Sequence, residues 1–209
     1  MKNLRNHLIV GVLAMGAMSV PSYATLIGID LEPAPDITSA FQDVIYDATS
    51  DTLSVSGFAI TYDTNGVSTP ELITAGMFAL SATINDTGTA SAGSLVIGGA
   101  VGGVGPMLLM GDLVDFGFSD GGGQLLEFAF EVTGGDLALA YGGVGGQIGV
   151  VLDMSSGVYT GDWSLSFDNL VSGVGSGAGI SDTGVIPTPS VLAMMLSAGL
   201  GYRRRRRCA

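Results

Sequence analysis

The sequence predicts an all-β fold, an antiparallel β-sandwich to which a jelly-roll arrangement is open. Three observations carry this. The chain holds 34 glycines among 209 residues, and they punctuate runs rich in Val, Ile, Thr and Phe, the composition of short strands joined by tight turns. Within those runs bulky apolar residues alternate with small or polar ones, the two-residue period of a half-buried strand. The runs number about nine and recur at the spacing typical of all-β domains.

In chain order, strands are expected over residues 43–47, 52–62, 78–84, 94–97, 108–118, 126–132, 136–141, 148–154 and 163–170. The clearest is 126–132, where Leu126, Phe128, Phe130 and Val132 share one face and Glu127, Ala129 and Glu131 the other, so that the charged face looks to water. Residues 78–84 alternate in the same way and run into the turn Asn85-Asp86-Thr87-Gly88. Residues 33–42 read as at most a short helix, with Asp36 capping a turn that carries Ile37, Ala40 and Phe41. Residues 98–106 read as a glycine-rich loop.

The two ends differ from the middle. Residues 8–20 are thirteen consecutive apolar or small residues behind Lys2 and Arg5, followed by Pro21, Ser22, Tyr23 and Ala24. That is the layout of a signal peptide cut by signal peptidase after Ala24. At the other end a second apolar stretch, 190–202, stands before Arg203, Arg204, Arg205, Arg206 and Arg207. As a helix it extends roughly 20 Å, short of a hydrocarbon core of ~30 Å unless residues 185–189 also enter. The arginines hold that end in the cytoplasm as a stop-transfer cluster. The sandwich is therefore expected to be flanked by an N-terminal signal helix and a C-terminal hydrophobic helix. The divisions are 1–24 signal peptide, 25–171 passenger domain, 172–186 Gly/Ser-rich flexible linker and 187–209 tail.

The tail, with Pro187, Thr188 and Pro189, then the apolar stretch, then the arginine run, resembles the PEP-CTERM sorting domain of bacterial exopolysaccharide producers. The resemblance implies recognition and cleavage by an exosortase near Pro187 to Pro189, with delivery to the cell envelope, surface or extracellular matrix. The chain departs from the pattern at Thr188, where the family name expects Glu. A plain C-terminal membrane anchor is the alternative that the charge pattern alone allows.

Charge restricts the chemistry more than any motif does. Between Leu8 and Tyr202 there is no Lys, Arg, His or Cys, whereas all 19 Asp and Glu fall inside that span. Triads built on imidazole are excluded from the passenger because His7 leaves with the signal peptide. Ser-Lys catalysis and a phosphate-binding P-loop lack their lysine. Zinc sites on His or Cys are excluded too, since Cys208 lies beyond the arginines. Nucleic acid is not expected as a partner of the passenger, which has no basic side chain at all. Paired carboxylates remain, but Glu127 and Glu131 on one strand face stand ~13 Å apart at 3.3 Å per residue, beyond the about 5–9.5 Å of glycosidases.

Hard-oxygen sites for Ca²⁺ are the remaining candidates: Asp63 and Asn65, Asp86, Asp112 with Asp115, and Asp120 beside three glycines. Each stands on a sequence that also reads simply as a turn. With no cationic side chain to balance the carboxylates, salt is expected to stabilise the fold and divalent ions to associate with it. Two functions follow. One is an exported, noncatalytic surface or matrix protein that takes up divalent cations or exopolysaccharide. The other is a secreted carbohydrate-active enzyme, or Ca-dependent carbohydrate-binding module, on a simple membrane anchor. Carboxylates converging with aromatic residues in one cleft would favour the second; carboxylates scattered on turns favour the first.

Overall fold

The computed structural model describes residues 25–119, 123–155, 159–170 and 176–187. Alternation in the sequence becomes ten strands: β1 (Asp36–Asp47), β2 (Thr52–Asp63), β3 (Glu71–Leu72), β4 (Thr74–Ile84), β5 (Ala90–Ala100), β6 (Met107–Phe118), β7 (Leu125–Gly134), β8 (Gln147–Asp153), β9 (Phe167–Asp168) and β10 (Gly179–Val185). All pairings are antiparallel. The order β1-β2-β4-β5-β6-β7-β8-β10 returns to β1, so eight strands close into one barrel. The short β3 and β9 are appended to β2 and β1.

This corrects the sandwich and the jelly roll. Alternation reports that one face of each strand is buried, and a closed wall buries that face as well as two stacked sheets do. What decides is the partner of β1: it pairs with β2 on one side and with β10 on the other, which leaves no second sheet. Eight strands give a bore just wide enough for side chains to fill. Ile37, Val44, Leu53, Phe78, Ile84, Leu95, Ile97, Leu108, Phe128, Phe130 and Val150 fill it, all at most 1% exposed.

Two corks shut the bore. At one end residues 159–167 fold inward and bury Tyr159, Trp163 and Phe167 against Tyr46, Phe116 and Phe118. Trp163 meets Tyr46 edge to face at 4.8 Å between ring centroids, the geometry the ring quadrupoles favour. At the other end, residues 135–146 form a turn pinned by Leu137 N donating to Leu108 O at 2.9 Å. Tyr141, fully buried there, donates its hydroxyl to Thr183 O at 3.3 Å.

The strands expected over 136–141 and 163–170 are thus a turn and, for all but Phe167–Asp168, a loop. Gly135, Gly142, Gly143 and Gly145 adopt positive φ around the first, which a strand cannot accommodate. The short helix expected over 33–42 is instead the lead-in and first half of β1. The linker expected over 172–186 is corrected as well, since its second half is β10, bonded to β1 and β8. The described residues hold no helix, and the two expected flanking helices lie outside them.

Where β10 leaves β1 and β9 has not yet joined, the side chain of Asn169 takes the place of a strand. Its Oδ1 accepts from Val44 N at 2.8 Å and its Nδ2 donates to Gln42 O at 2.9 Å and Met154 O at 3.1 Å. A bulge between Ala40 and Gln42 opens this gap, and a primary amide carries the donor and acceptor that a peptide unit would have supplied.

Residues 25–32 form a strap across the outside of β6, β7, β8 and β10. A Cβ on Gly117 would lie 2.6 Å from Ile27 N, one on Gly149 2.7 Å from Ile29 Cγ2 and Leu31 Cδ2, and one on Gly184 3.2 Å from Leu31 Cβ. The strap's backbone leaves no room for a Cβ at Gly117, and its Ile29 and Leu31 side chains would have to shift to admit one at Gly149 or Gly184.

Two outcomes are expected. A chain ending at residue 171, the boundary the sequence suggested, lacks β10 and will show no cooperative thermal transition, whereas one ending at 187 will. Trp163→Ala will lower unfolding free energy by about 3–5 kcal/mol, read from the urea midpoint.

Candidate functional site

The carboxylates proposed as cation ligands are dispersed over the barrel. Asp63 ends β2 and its Oδ1 accepts from Asn65 N at 3.0 Å and Gly66 N at 2.9 Å. Asn65 Oδ1 in turn accepts from Val67 N and Ser68 N, both at 2.9 Å. Both side chains are spent on holding their own turn. Asp86 stands at the opposite end of the barrel, in the turn after β4 that Asn85 organises by accepting from Thr87 N and Thr89 N. Asp112 and Asp115 lie on the outer wall of β6 on either side of a bulge. Asp112 faces Ser94 on one side and Glu131 on the other, while Asp115 Oδ1 accepts from Phe116 N at 2.8 Å. Asp120 lies outside the described residues, as do Ala24, Thr188, Pro189 and Arg203 to Arg207; Pro187 ends the described chain.

The shallow pocket beside Asp115, about 200 Å³, is lined by Gly88, Thr89, Ser91, Leu113 and Phe116 and contains that carboxylate alone among acids. Among the described residues no group of three or more His, Cys, Asp or Glu is arranged to hold a metal ion.

Closure of the barrel does bring together three carboxylates that no local motif connects. Asp36 opens β1 directly opposite Asp63 of β2, and on the other side Asp182 of β10 faces Thr38, two residues along. Burial pushes the Asp36 carboxyl up to about 6 from its ordinary 3.8, with the Asp182 and Asp63 charges adding to it; bonds from Thr38 Oγ1 and from the Thr183 backbone pull the other way. No cationic side chain occurs anywhere in 25–187 to relieve it.

Asp47 and Asp162 behave oppositely. The hydroxyl and backbone N–H of Thr49, and of Ser164 in the other case, hold these carboxyls below their ordinary value. Such groups contribute stability at neutral pH that is lost as pH falls past 3.8 towards and through the folded value. Asp36 costs stability above about pH 6, and the cost is relieved as pH falls from there to 3.8, because the folded state holds its proton more tightly than the unfolded chain.

The interior also carries polar groups that alternation did not single out. Ser39, Gln42, Ser181 and Thr183 are buried along the inner side of the β1–β10 seam. Gln42 Nε2 donates to Ser181 Oγ at 2.7 Å, while Ser39 Oγ, Gln42 Oε1 and Thr183 Oγ1 have no partner. On the outside, Phe58, Ala40 and Ile180 line up across β2, β1 and β10, with Phe41 pushed out beside them by the bulge. Phe41, Phe58 and Ile180 are 65%, 57% and 50% exposed.

No family model matches the chain, and neither the curated proteins nor the solved structures hold a significant match to it.

Asp36→Asn is expected to stabilise the domain by about 1 kcal/mol at pH 7.5, the full shift being discounted because the carboxyl is partly open to solvent. The gain should fade as pH falls from 6 to 4. Melting curves across that range check it: a gain of equal size at pH 4 would remove the electrostatic explanation.

Proposed function

We propose that the chain is an exported, noncatalytic protein of the cell surface or extracellular matrix, whose tail delivers it through exosortase-type recognition after signal peptidase has acted at Ala24. The observation that carries the reading is the partition of charge: every Lys and Arg stands at the extremities and every Asp and Glu lies between them. Cations at both ends keep those ends cytoplasmic during insertion, and the anionic middle crosses. An acidic domain without lysine or arginine stays soluble by its own repulsion and suits surroundings rich in divalent ions or neutral polymer.

The noncatalytic part draws its support from the placement of acids and aromatics. Tyr46, Phe116, Phe118, Tyr159, Trp163 and Phe167 are consumed inside the barrel as a cork, and the candidate carboxylates stand on separate turns and walls. Catalysis by paired acids needs two of them to share a cleft with groups that tune their proton affinity. The Asp115 pocket offers one.

Association with Ca²⁺ or Mg²⁺ belongs to the same reading as a diffuse effect of unbalanced charge, strongest about Asp36, Asp63 and Asp182. The experiment for export is the intact mass of the protein recovered from the cell envelope. A species that starts at Thr25 and lacks Arg203 to Arg207 is expected; one that retains the arginines eliminates tail cleavage, and an uncut chain dissolved in the cytosol eliminates export. For cations, melting of residues 25–187 should shift upward with NaCl, and further with CaCl₂ at equal ionic strength. Identical curves with Ca²⁺ and with chelator would remove the divalent part.

A further inference from the structure

The strap is bound to the barrel differently from every strand in the wall. Among the described residues its polar ties to the wall are two: Gly28 N donates to Glu127 Oε2 at 2.7 Å, and Glu32 N donates to Val185 O at 2.9 Å. The rest of its hold is apolar. Leu26, Ile29 and Leu31 are half-buried along it, and Leu31 and Ile29 rest on Gly149 and Gly184. A groove of about 400 Å³ persists between the strap and Ala129, Ile186 and Pro187. The bond from Gly28 is made to a carboxylate only 5% exposed, so the wall contains a buried acceptor that a backbone N–H must satisfy.

Elements held by so few bonds open at a fraction of the cost of global unfolding. Here opening leaves the barrel circuit untouched, because the strap joins β1 through Glu32, Pro33, Ala34 and Pro35, none of which belongs to a ladder. It uncovers two faces made for each other: a channel floored by Gly117, Gly149 and Gly184 with Glu127 in it, and a segment bearing Leu26, Ile29 and Leu31.

We propose that this glycine-floored channel is a peptide-binding site whose partner is a second copy of the chain, the strap of one molecule seating on the wall of the next. The barrel has no free edge in its closed circuit through which copies could join by strand addition, so the strap is the element that links them. Each copy offers one strap and one channel, and the exchange is heterologous, closing into rings or continuing as a filament according to the rotation between copies. Within one molecule the strap sees its own channel at an effective concentration of order millimolar. Exchange therefore dominates only where copies are packed to about that density, as on a surface or in a matrix. It is in this setting alone that the inference rests on the proposed function; the fit of strap to channel does not.

The test uses three chains ending at residue 187: the barrel beginning at Thr25, the same with Gly149→Val, and one beginning at Pro33 that lacks the strap. A labelled peptide of residues 25–35 is expected to saturate the strapless barrel in fluorescence anisotropy and to bind at least tenfold more weakly when Gly149→Val is added. The Thr25 chain, concentrated to about 1 mM and then diluted, should yield dimers and larger species by light scattering, and the Gly149→Val chain none. Failure of the peptide to bind a strapless barrel that melts cooperatively overturns the proposal, as does oligomer that persists in Gly149→Val. If the strapless chain does not fold, a protease site placed at Ala34 and cut after folding serves instead: exchange of the nicked strap for labelled peptide supports the proposal, and no exchange refutes it. A cytosolic location would sink the functional reading while leaving peptide binding unchanged.

Discussion

Closure of β10 onto β1 is the contact on which the rest of the molecule depends. It joins residues 139 apart, as in the Gln42–Ser181 bond, and without it the remaining staves form an open sheet with two unpaired edges and an uncovered apolar face. It is also the least apolar stretch of the interior. Buried polar atoms without partners cost about 1–3 kcal/mol each, and Ser39, Gln42 and Thr183 supply three of them along this seam. The wall compensates locally. Asn169 stitches the gap left by the bulge, Asp43 Oδ1 accepts from Gly177 N just ahead of β10, and Tyr141 reaches across from the far cork to Thr183.

Strands with large inward residues were legible in the sequence, and those without were not. β7 buries Leu126, Phe128, Phe130 and Val132, and its period of two declares itself. β10 buries Gly179, Ser181 and Thr183 on the same inward face, because Tyr141 and Gln42 already occupy the bore beside it. Small and polar inward residues carry little strand signal, so the segment read as linker. Residues 163–170 erred in the opposite sense: Trp163, Leu165 and Phe167 alternate as a strand would, yet Leu165 is 58% exposed while the other two are buried. The alternation there belongs to a loop dipping into a barrel end.

The acidic cluster was illegible for a related reason. Asp36, Asp63 and Asp182 become neighbours only through the registers of β1 with β2 and of β1 with β10, and no spacing in the chain encodes a register between distant strands. The sites chosen from local motifs, Asp63-Asn65 and Asp86, turned out to be what their composition also said they were, turns held by side-chain oxygens. Only Asp63 belongs to both sets. Glycine was legible as punctuation, and that reading is incomplete: Gly117, Gly149 and Gly184 sit inside strands, where their lack of a Cβ makes room for the strap.

A wall whose first and last staves must meet cannot be completed piecemeal. A chain built amino end first lacks the stave that closes the circuit until Gly179–Val185 has been added. The closed shape is thus a property of the whole circuit rather than of any part of it, and the lock turns only when the last stave is in place.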